Sequence, residues 1–222
     1  MKYKFGRSRK FRVSTEPSVE EMEISADELR EALMGSEVTA AGVDKGVEIN
    51  DNRLYFYAPV TESSVLEFTK LLHALDVEMQ HLAIRLGVKD VPIQVHIHSG
   101  GGDLFAGLAA VDAILSTRSS VHTYILGQAA SAATLMSLVG KQRFIHRNSF
   151  MLIHQLSSFM LQGTHEQFKD EFENQERLME QIKRIYREHA GMDDDTLEDL
   201  LKHDLWLNAE RCLDLGLVDD IV

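Results

Sequence analysis

The chain has 222 residues, 44% of them hydrophobic, and its 35 acidic and 23 basic side chains give a formal net charge of −12. This length and apolar content favour one domain with an appendage over two separate domains. The acidic balance disfavours a general nucleic-acid binder, because phosphate backbones attract basic surfaces. A single cysteine, Cys212, excludes an intrachain disulfide and is typical of a reducing compartment.

The sequence also bears on cellular location. No segment is apolar for long enough to predict a membrane span, and no signal-peptide pattern is present. We therefore expect a cytoplasmic protein with no membrane partner, and the stroma or matrix of an organelle is the alternative.

Residues 1–47 differ in composition from the rest of the chain. Residues 1–12 carry six basic side chains and no acid, and six acids follow between residues 16 and 28. Opposed charge blocks are typical of a solvated tail, with a pro-segment or a docking arm as alternatives. Ser25 with Glu28 three residues later predicts one short helix, which ends near Gly35. We expect an N-terminal extension over 1–47 and a folded domain over 48–222.

From residue 48 onward, β-rich and helical patterns alternate, which predicts an α/β layered fold. The expected strands are 53–57, 93–98, 121–126, 143–145 and 150–154. The expected helices in this part of the chain are 63–75, 104–116 and 131–139.

A long amphipathic segment follows. Thr164 with Gln167 three residues later predicts a helix start, and Gly191 predicts its end. A helix of about 26 residues would be about 39 Å long, which is more than a small domain needs. Its apolar stripe consists of Phe168, Phe172, Met179, Ile182 and Tyr186. Two interpretations stay open: packing within the chain, or an oligomer interface.

A serine and a histidine are candidates for a nucleophile and its general base. Ser131 stands where a helix begins, and His154 follows in a strand-like run. A serine hydroxyl needs a base to take its proton, and histidine suits that task near neutral pH. The first amide of the helix and a glycine turn at 100–102 could donate to an oxyanion. Taken singly, these features are more typical of core packing or of a turn, but together they favour acyl transfer.

Four segments together resemble the ClpP family, the serine peptidases of the ATP-dependent Clp system. They are Ile97–Gly102, Gly127–Ser131, Asn148–Gln155 and Ala209–Asp219. The likeness runs from about residue 48 to residue 222 and does not include the first 47 residues. It implies a ClpP/crotonase-like spiral of β-β-α units with a long protruding handle helix, which interleaves between stacked rings.

The resemblance also implies roles for individual residues. Ser131 is the nucleophile and His154 the general base. The implied oxyanion hole consists of two backbone amides, those of Gly102 and Ala132.

The third member of the implied triad is an aspartate. The family's aspartate stands two residues before the aromatic of a segment that matches 206–209, which gives Asp204, with Asp199 as second choice. Two family prolines are replaced, by Gly100 in the glycine turn and by Leu156 after the histidine.

The implied function is that of a serine endopeptidase, which hydrolyses peptide bonds through an acyl-enzyme inside a chamber of stacked heptameric rings. The implied partners are polypeptide substrates, further copies of the chain and an AAA+ unfoldase of the Clp type; no cofactor is implied. The alternatives are a catalytically silent ring subunit and a crotonase-type acyl-CoA enzyme, which needs no Ser–His pair. An α/β-hydrolase is disfavoured because residues 129–133 lack the Gly-x-Ser-x-Gly elbow.

Four further histidines are candidates for metal ligands or for structural residues. His96 and His98 alternate on one expected strand and could offer two ligands to zinc. No third ligand at suitable spacing is evident, so we expect no metal site. His122 and His146 are interpreted as ordinary strand residues.

Overall fold

The computed structural model describes residues 46–157 and 162–222. The expected extension therefore lies outside the described residues except for its last two, and so does the short helix expected after Ser25. Among the described helices, none is both long and apolar enough to cross a membrane.

One mixed sheet of eight strands organises the described part of the chain. The strands are β1 (Val47–Asn50), β2 (Arg53–Phe56), β3 (Ile93–Ser99), β4 (Val121–Ala130), β5 (Gln142–Ile145), β6 (Phe150–Leu152), β7 (Trp206–Asn208) and β8 (Asp220–Ile221). The main path runs β1-β2-β3-β4-β5-β8, and β6 pairs with both β4 and β7. Among these described strands, only the pairs β1–β2 and β6–β7 are antiparallel.

Helices connect these strands and confirm the predicted α/β alternation. They are α1 (Glu62–Leu86), α2 (Leu104–Leu115), α3 (Ala132–Leu138), α4 (His165–Ala190), α5 (Asp194–Leu201) and α6 (Ala209–Asp214). The expected capping box at Thr164 and the left-handed cap at Gly191 bound α4. Helix α1 continues past Leu75 to Leu86, because Met79 and Leu82 are also fully buried.

The core lies between the sheet and the helices that cover one of its faces. Leu54 and Phe56 of β2 and Ile97 of β3 are fully buried there. The ring of Phe56 meets that of Phe68 on α1 edge-on, with centroids 5.7 Å apart. Each such side chain contributes about 1.5–3 kcal/mol through burial, so this face fixes the sheet against α1.

The opposite face carries a row of stacked rings. Tyr55, His96, Tyr124 and Phe144 occupy matching register positions on β2, β3, β4 and β5. Their centroids are 4.9, 4.8 and 4.7 Å apart in turn. Because side chains alternate between faces, a slip of one residue would send this row into the core.

Strand β4 changes neighbours halfway along its length. Its first half pairs with β5, and its second half pairs with β6. Gly127 lies between the halves with φ +70, and a Cβ there would lie 2.7 Å from Nδ1 of His98. This arrangement brings the ends of β3, β4 and β6 together. Ser131 follows β4 and His154 follows β6, so both predicted catalytic side chains lie near these strand ends.

Candidate active site

Ser131 joins β4 to α3 in a strained conformation. Its φ of 53° and ψ of −128° place it in a region that costs about 1–3 kcal/mol for a residue with a side chain. Its amide donates to the carbonyl oxygen of Leu152 at 2.9 Å. Its own carbonyl oxygen accepts from the amide of Thr134 at 2.9 Å and from Thr134 Oγ1 at 2.6 Å. Backbone contacts on both sides therefore hold the serine.

The glycine turn lies directly against this serine. A Cβ on Gly101 would lie 2.7 Å from Ser131 Cβ and 3.1 Å from the amide nitrogen of Ala132, and one on Gly102 would lie 2.2 Å from the carbonyl oxygen of Val60. Both glycines have positive φ, +85° and +150°. Only residues without a Cβ fit here, so the chain passes close beside the serine.

Two amides at this junction are available to a ligand. The amide of Gly101 donates to Ser99 Oγ at 3.2 Å, whereas no protein acceptor among the described residues takes up the amides of Gly102 and Ala132. Asp103, next in the chain, donates to the carbonyl of Val60 at 2.8 Å and fixes the end of the turn. Backbone donors held in this way suit a developing oxyanion.

His154 reaches the same cleft through strand pairing. It follows β6, whose Leu152 lies opposite Ala130 of β4. A cleft of about 790 Å³ is lined by Gly102, Ser131, Ala132 and His154 together with residues of α4. The structure thus brings together four of the five predicted site residues.

Asp204 is close to His154, but it is exposed and forms no hydrogen bond with it. Its Oδ1 lies 4.0 Å from His154 Nδ1, and the two side chains are 80% and 27% exposed. That separation is too long for a hydrogen bond. No hydrogen bond joins Ser131 Oγ to His154 in the described residues either. Asp199 lies on α5, where it is exposed, and it forms no ion pair or hydrogen bond with His154 among those residues.

A buried polar contact, which the sequence did not predict, connects α4 to this junction. The hydroxyl oxygens of Thr134 and Tyr186 lie 2.5 Å apart. Both residues are buried, and burial raises the pKa of the Tyr186 hydroxyl above its usual value. The sequence showed Tyr186 only as the last member of an apolar stripe.

Three of the four histidines singled out in the sequence, His96, His98 and His122, lie on strands of the sheet and not in the cleft. The prediction that His146 is a strand residue is wrong, because β5 ends at Ile145. His96 is enclosed between the rings of Tyr55 and Tyr124. Burial, together with Arg53 and His146, lowers its pKa to about 4. His98 Nδ1 lies 2.8 Å from the carbonyl of Leu126. Within 46–157 and 162–222, no group of three or more His, Cys, Asp or Glu side chains could hold a metal ion.

Comparison with known proteins places this arrangement in a family. Residues 49–222 match the family model described as Clp protease. An ATP-dependent Clp protease proteolytic subunit of Bdellovibrio bacteriovorus is 31% identical over 147 residues, which cover 64% of this chain and 69% of that protein. The chain belongs to the Clp protease family. The solved structure of a ClpP1 point mutant from Listeria monocytogenes is similar to this Clp family chain, with a TM-score of 0.64 and 24% identity over 75% of this chain and 88% of that one.

The comparisons confirm the predicted fold. The mixed sheet with its helices matches the ClpP fold, and α4 corresponds to the predicted handle helix.

Proposed function

We propose that this protein is the proteolytic subunit of a Clp-type protease and that it hydrolyses peptide bonds as a serine endopeptidase. In this proposal Ser131 Oγ attacks the peptide carbonyl while His154 takes its proton. The amides of Gly102 and Ala132 stabilise the oxyanion of the tetrahedral intermediate, at roughly 3 kcal/mol for each donor.

Departure of the amine and hydrolysis of the acyl-enzyme complete the reaction. His154 passes the proton to the leaving amine as the C–N bond breaks, which leaves an acyl-enzyme on Ser131. Water then attacks the ester while His154 takes its proton, and His154 returns that proton to Ser131 Oγ as the ester C–O bond breaks and the carboxylic acid product departs. In this scheme Asp204 orients the imidazole and stabilises its charged form. The observation that carries the proposal is the strained serine beside two unengaged amides, in one cleft with a histidine.

The proposed particle is an oligomer of stacked heptameric rings that encloses these clefts. Along α4, burial among the described residues is confined to Ile182, Ile185 and Tyr186, near its C-terminal end. Phe168 and Phe172, near its start, are 45% and 64% exposed. An exposed apolar stripe of this kind suits contact with a second copy of the chain.

Substrate supply and location complete the proposal. The substrates are short peptides or polypeptides that a partner unfolds. The name of the Bdellovibrio relative includes ATP dependence, which supports an AAA+ unfoldase of the Clp type as that partner. We place the particle in the cytoplasm, with residues 1–47 as an extension of a peptidase domain over 48–222.

A catalytically silent ring subunit is the second candidate. The 4.0 Å separation between His154 and an exposed Asp204 favours it. It predicts the same assembly without turnover.

Covalent labelling tests the proposed function. A fluorophosphonate probe reacts with activated serines, so we expect it to label the wild-type chain and not Ser131→Ala. Ser116→Ala is the control, because Ser116 caps the end of α2, and it should be labelled like the wild type. Labelling that persists in Ser131→Ala would contradict the assignment of the nucleophile.

A measurement of mass in solution tests the proposed ring. A solution mass that shows only monomers at micromolar concentration would contradict it.

A further inference from the structure

A chain of hydrogen bonds runs from α4 to the carbonyl group of Ser131. Thr134 Oγ1 lies 2.6 Å from that carbonyl oxygen and 2.5 Å from the hydroxyl oxygen of Tyr186. A threonine hydroxyl has one proton, and the carbonyl can only accept, so Thr134 donates to Ser131. Tyr186 must therefore be the donor to Thr134, and the chain has a single direction.

Both hydroxyls are enclosed. Thr134 is fully buried and Tyr186 is 2% exposed. An unpaired buried hydroxyl is costly, so the Tyr186 hydroxyl depends on Thr134 as its acceptor, whereas Thr134 is also engaged with the carbonyl of Ser131. Because burial raises its pKa, the Tyr186 hydroxyl stays protonated and remains a donor throughout the neutral range.

The carbonyl at the end of this chain shares a peptide group with a proposed oxyanion donor. The carbonyl of Ser131 and the amide N–H of Ala132 belong to one planar, trans unit, so they point in opposite directions. A group that fixes the carbonyl therefore also aims the N–H. A hydrogen bond accepted by the carbonyl further polarises the N–H, which makes it a stronger donor.

We propose that Tyr186 is a positioning residue for the oxyanion hole. Through Thr134, it holds the Ser131–Ala132 peptide group in the orientation that points the Ala132 amide at the developing oxyanion. This inference rests on the proposed peptidase function and adds a role for the long helix within the chain.

The variant Tyr186→Phe tests this role, because it removes one oxygen atom and keeps the ring. Using a peptidyl coumarin amide that the wild type hydrolyses as the substrate, we expect kcat to fall about tenfold. KM should stay within twofold, since the oxyanion forms only after binding. Labelling by a fluorophosphonate should slow to a similar extent, while the oligomeric mass and the melting temperature stay near those of the wild type.

Two further variants separate positioning from packing. Thr134→Ser keeps the hydroxyl and should retain most of the wild-type kcat. The double variant Tyr186→Phe with Thr134→Val removes both hydroxyls, so no buried hydroxyl is left unpaired, and its kcat should be no lower than the product of the single effects. Tyr57→Phe is the matched control, because Tyr57 is 46% exposed and lies outside the cleft lining, and it should match the wild type.

The outcomes distinguish this proposal from the proposed function. If the wild type neither hydrolyses the peptide nor reacts with the probe, the peptidase function fails, and the positioning role fails with it. If the wild type is active and Tyr186→Phe keeps its full kcat, only the positioning role is wrong. A fall in kcat that comes with loss of the assembled mass would also overturn it, by assigning Tyr186 to packing.

Discussion

The turn that carries Ser131 is enclosed by its neighbours, whereas the segment that carries Asp204 is open to solvent. The serine is fixed through its amide and its carbonyl, and Gly101 leaves no room beside it. Asp204 is 80% exposed and lies 4.0 Å from His154. We refer to these regions as the serine side and the acid side of the site.

The difference between the two sides has a physical origin. The serine side lies where β3 and β4 end and α3 begins, so strand pairing and a helix start fix it together. The acid side depends on β7, a strand of three residues that pairs, within the described sheet, only with β6. A single short strand constrains the residues before it weakly, so rearrangement during catalysis is expected on the acid side.

The largest effect is expected on the serine side, from Gly102→Ala. The Cβ of the new alanine would lie 2.2 Å from the carbonyl oxygen of Val60. The turn must therefore move, and the amide of residue 102 no longer points at the oxyanion. We expect kcat to fall about a thousandfold, the upper range for loss of one oxyanion donor. Steady-state hydrolysis of the coumarin peptide measures this.

Gly87→Ala is the matched control. Gly87 also has a positive φ, +69°, but a Cβ there meets nothing within 4 Å. It should cost about 1 kcal/mol of stability and leave kcat unchanged. An active Gly102→Ala would mean that the serine side is not the rigid one.

An intermediate effect is expected on the acid side, from Asp204→Asn. An exposed pair at this distance contributes little in the ground state, but the carboxylate still stabilises the imidazolium in the transition state. We expect kcat to fall about tenfold to a hundredfold, measured with the same substrate. Asp199→Asn is the control, and its kcat should equal that of the wild type. If Asp199→Asn lowers kcat and Asp204→Asn does not, the aspartate of the triad is Asp199 on α5.

The smallest effects come from two helix caps, one on each side. Asp103 accepts from the amide of Ala106 at 2.7 Å at the start of α2, and Asn208 accepts from the amide of Arg211 at 3.0 Å at the start of α6. Replacement of either by alanine should lower the free energy of unfolding by about 1 kcal/mol, measured by urea denaturation.

Catalysis should separate these two variants. Asp103→Ala loosens the residue after Gly102, so its kcat should fall several-fold. Asn208→Ala loosens a side that is already open, so its kcat should stay within twofold. If the two variants lower kcat equally, the serine side is not more rigid than the acid side.

Residues with local signatures could be predicted from the sequence. Ser131, His154 and the glycine turn are carried by short motifs, and the resemblance to a known family connects those motifs. Helix α4 could be predicted because its caps and its apolar spacing are both regular. Four short elements near the C-terminus, β7, β8, α5 and α6, have too few residues to show a period, and they were not predicted.

Contacts between distant residues could not be predicted in this way. Thr134 and Tyr186 are 52 positions apart, and neither residue carries a pattern that points to the other. The resemblance to the family likewise implied Asp204, with Asp199 as second choice, but gave no distance to His154. Such contacts depend on how α3 and α4 pack, which is a property of the tertiary structure.

The pairing of β6 with β7 also gives the protein an optical probe. Trp206 is the only tryptophan in the chain. It comes two residues after Asp204, pairs with Leu152 of β6, and is 49% exposed. Its fluorescence emission therefore arises from one place, beside the acid of the site. A shift of this emission to shorter wavelength, when a fluorophosphonate binds or subunits assemble, would report water leaving that strand without any added label.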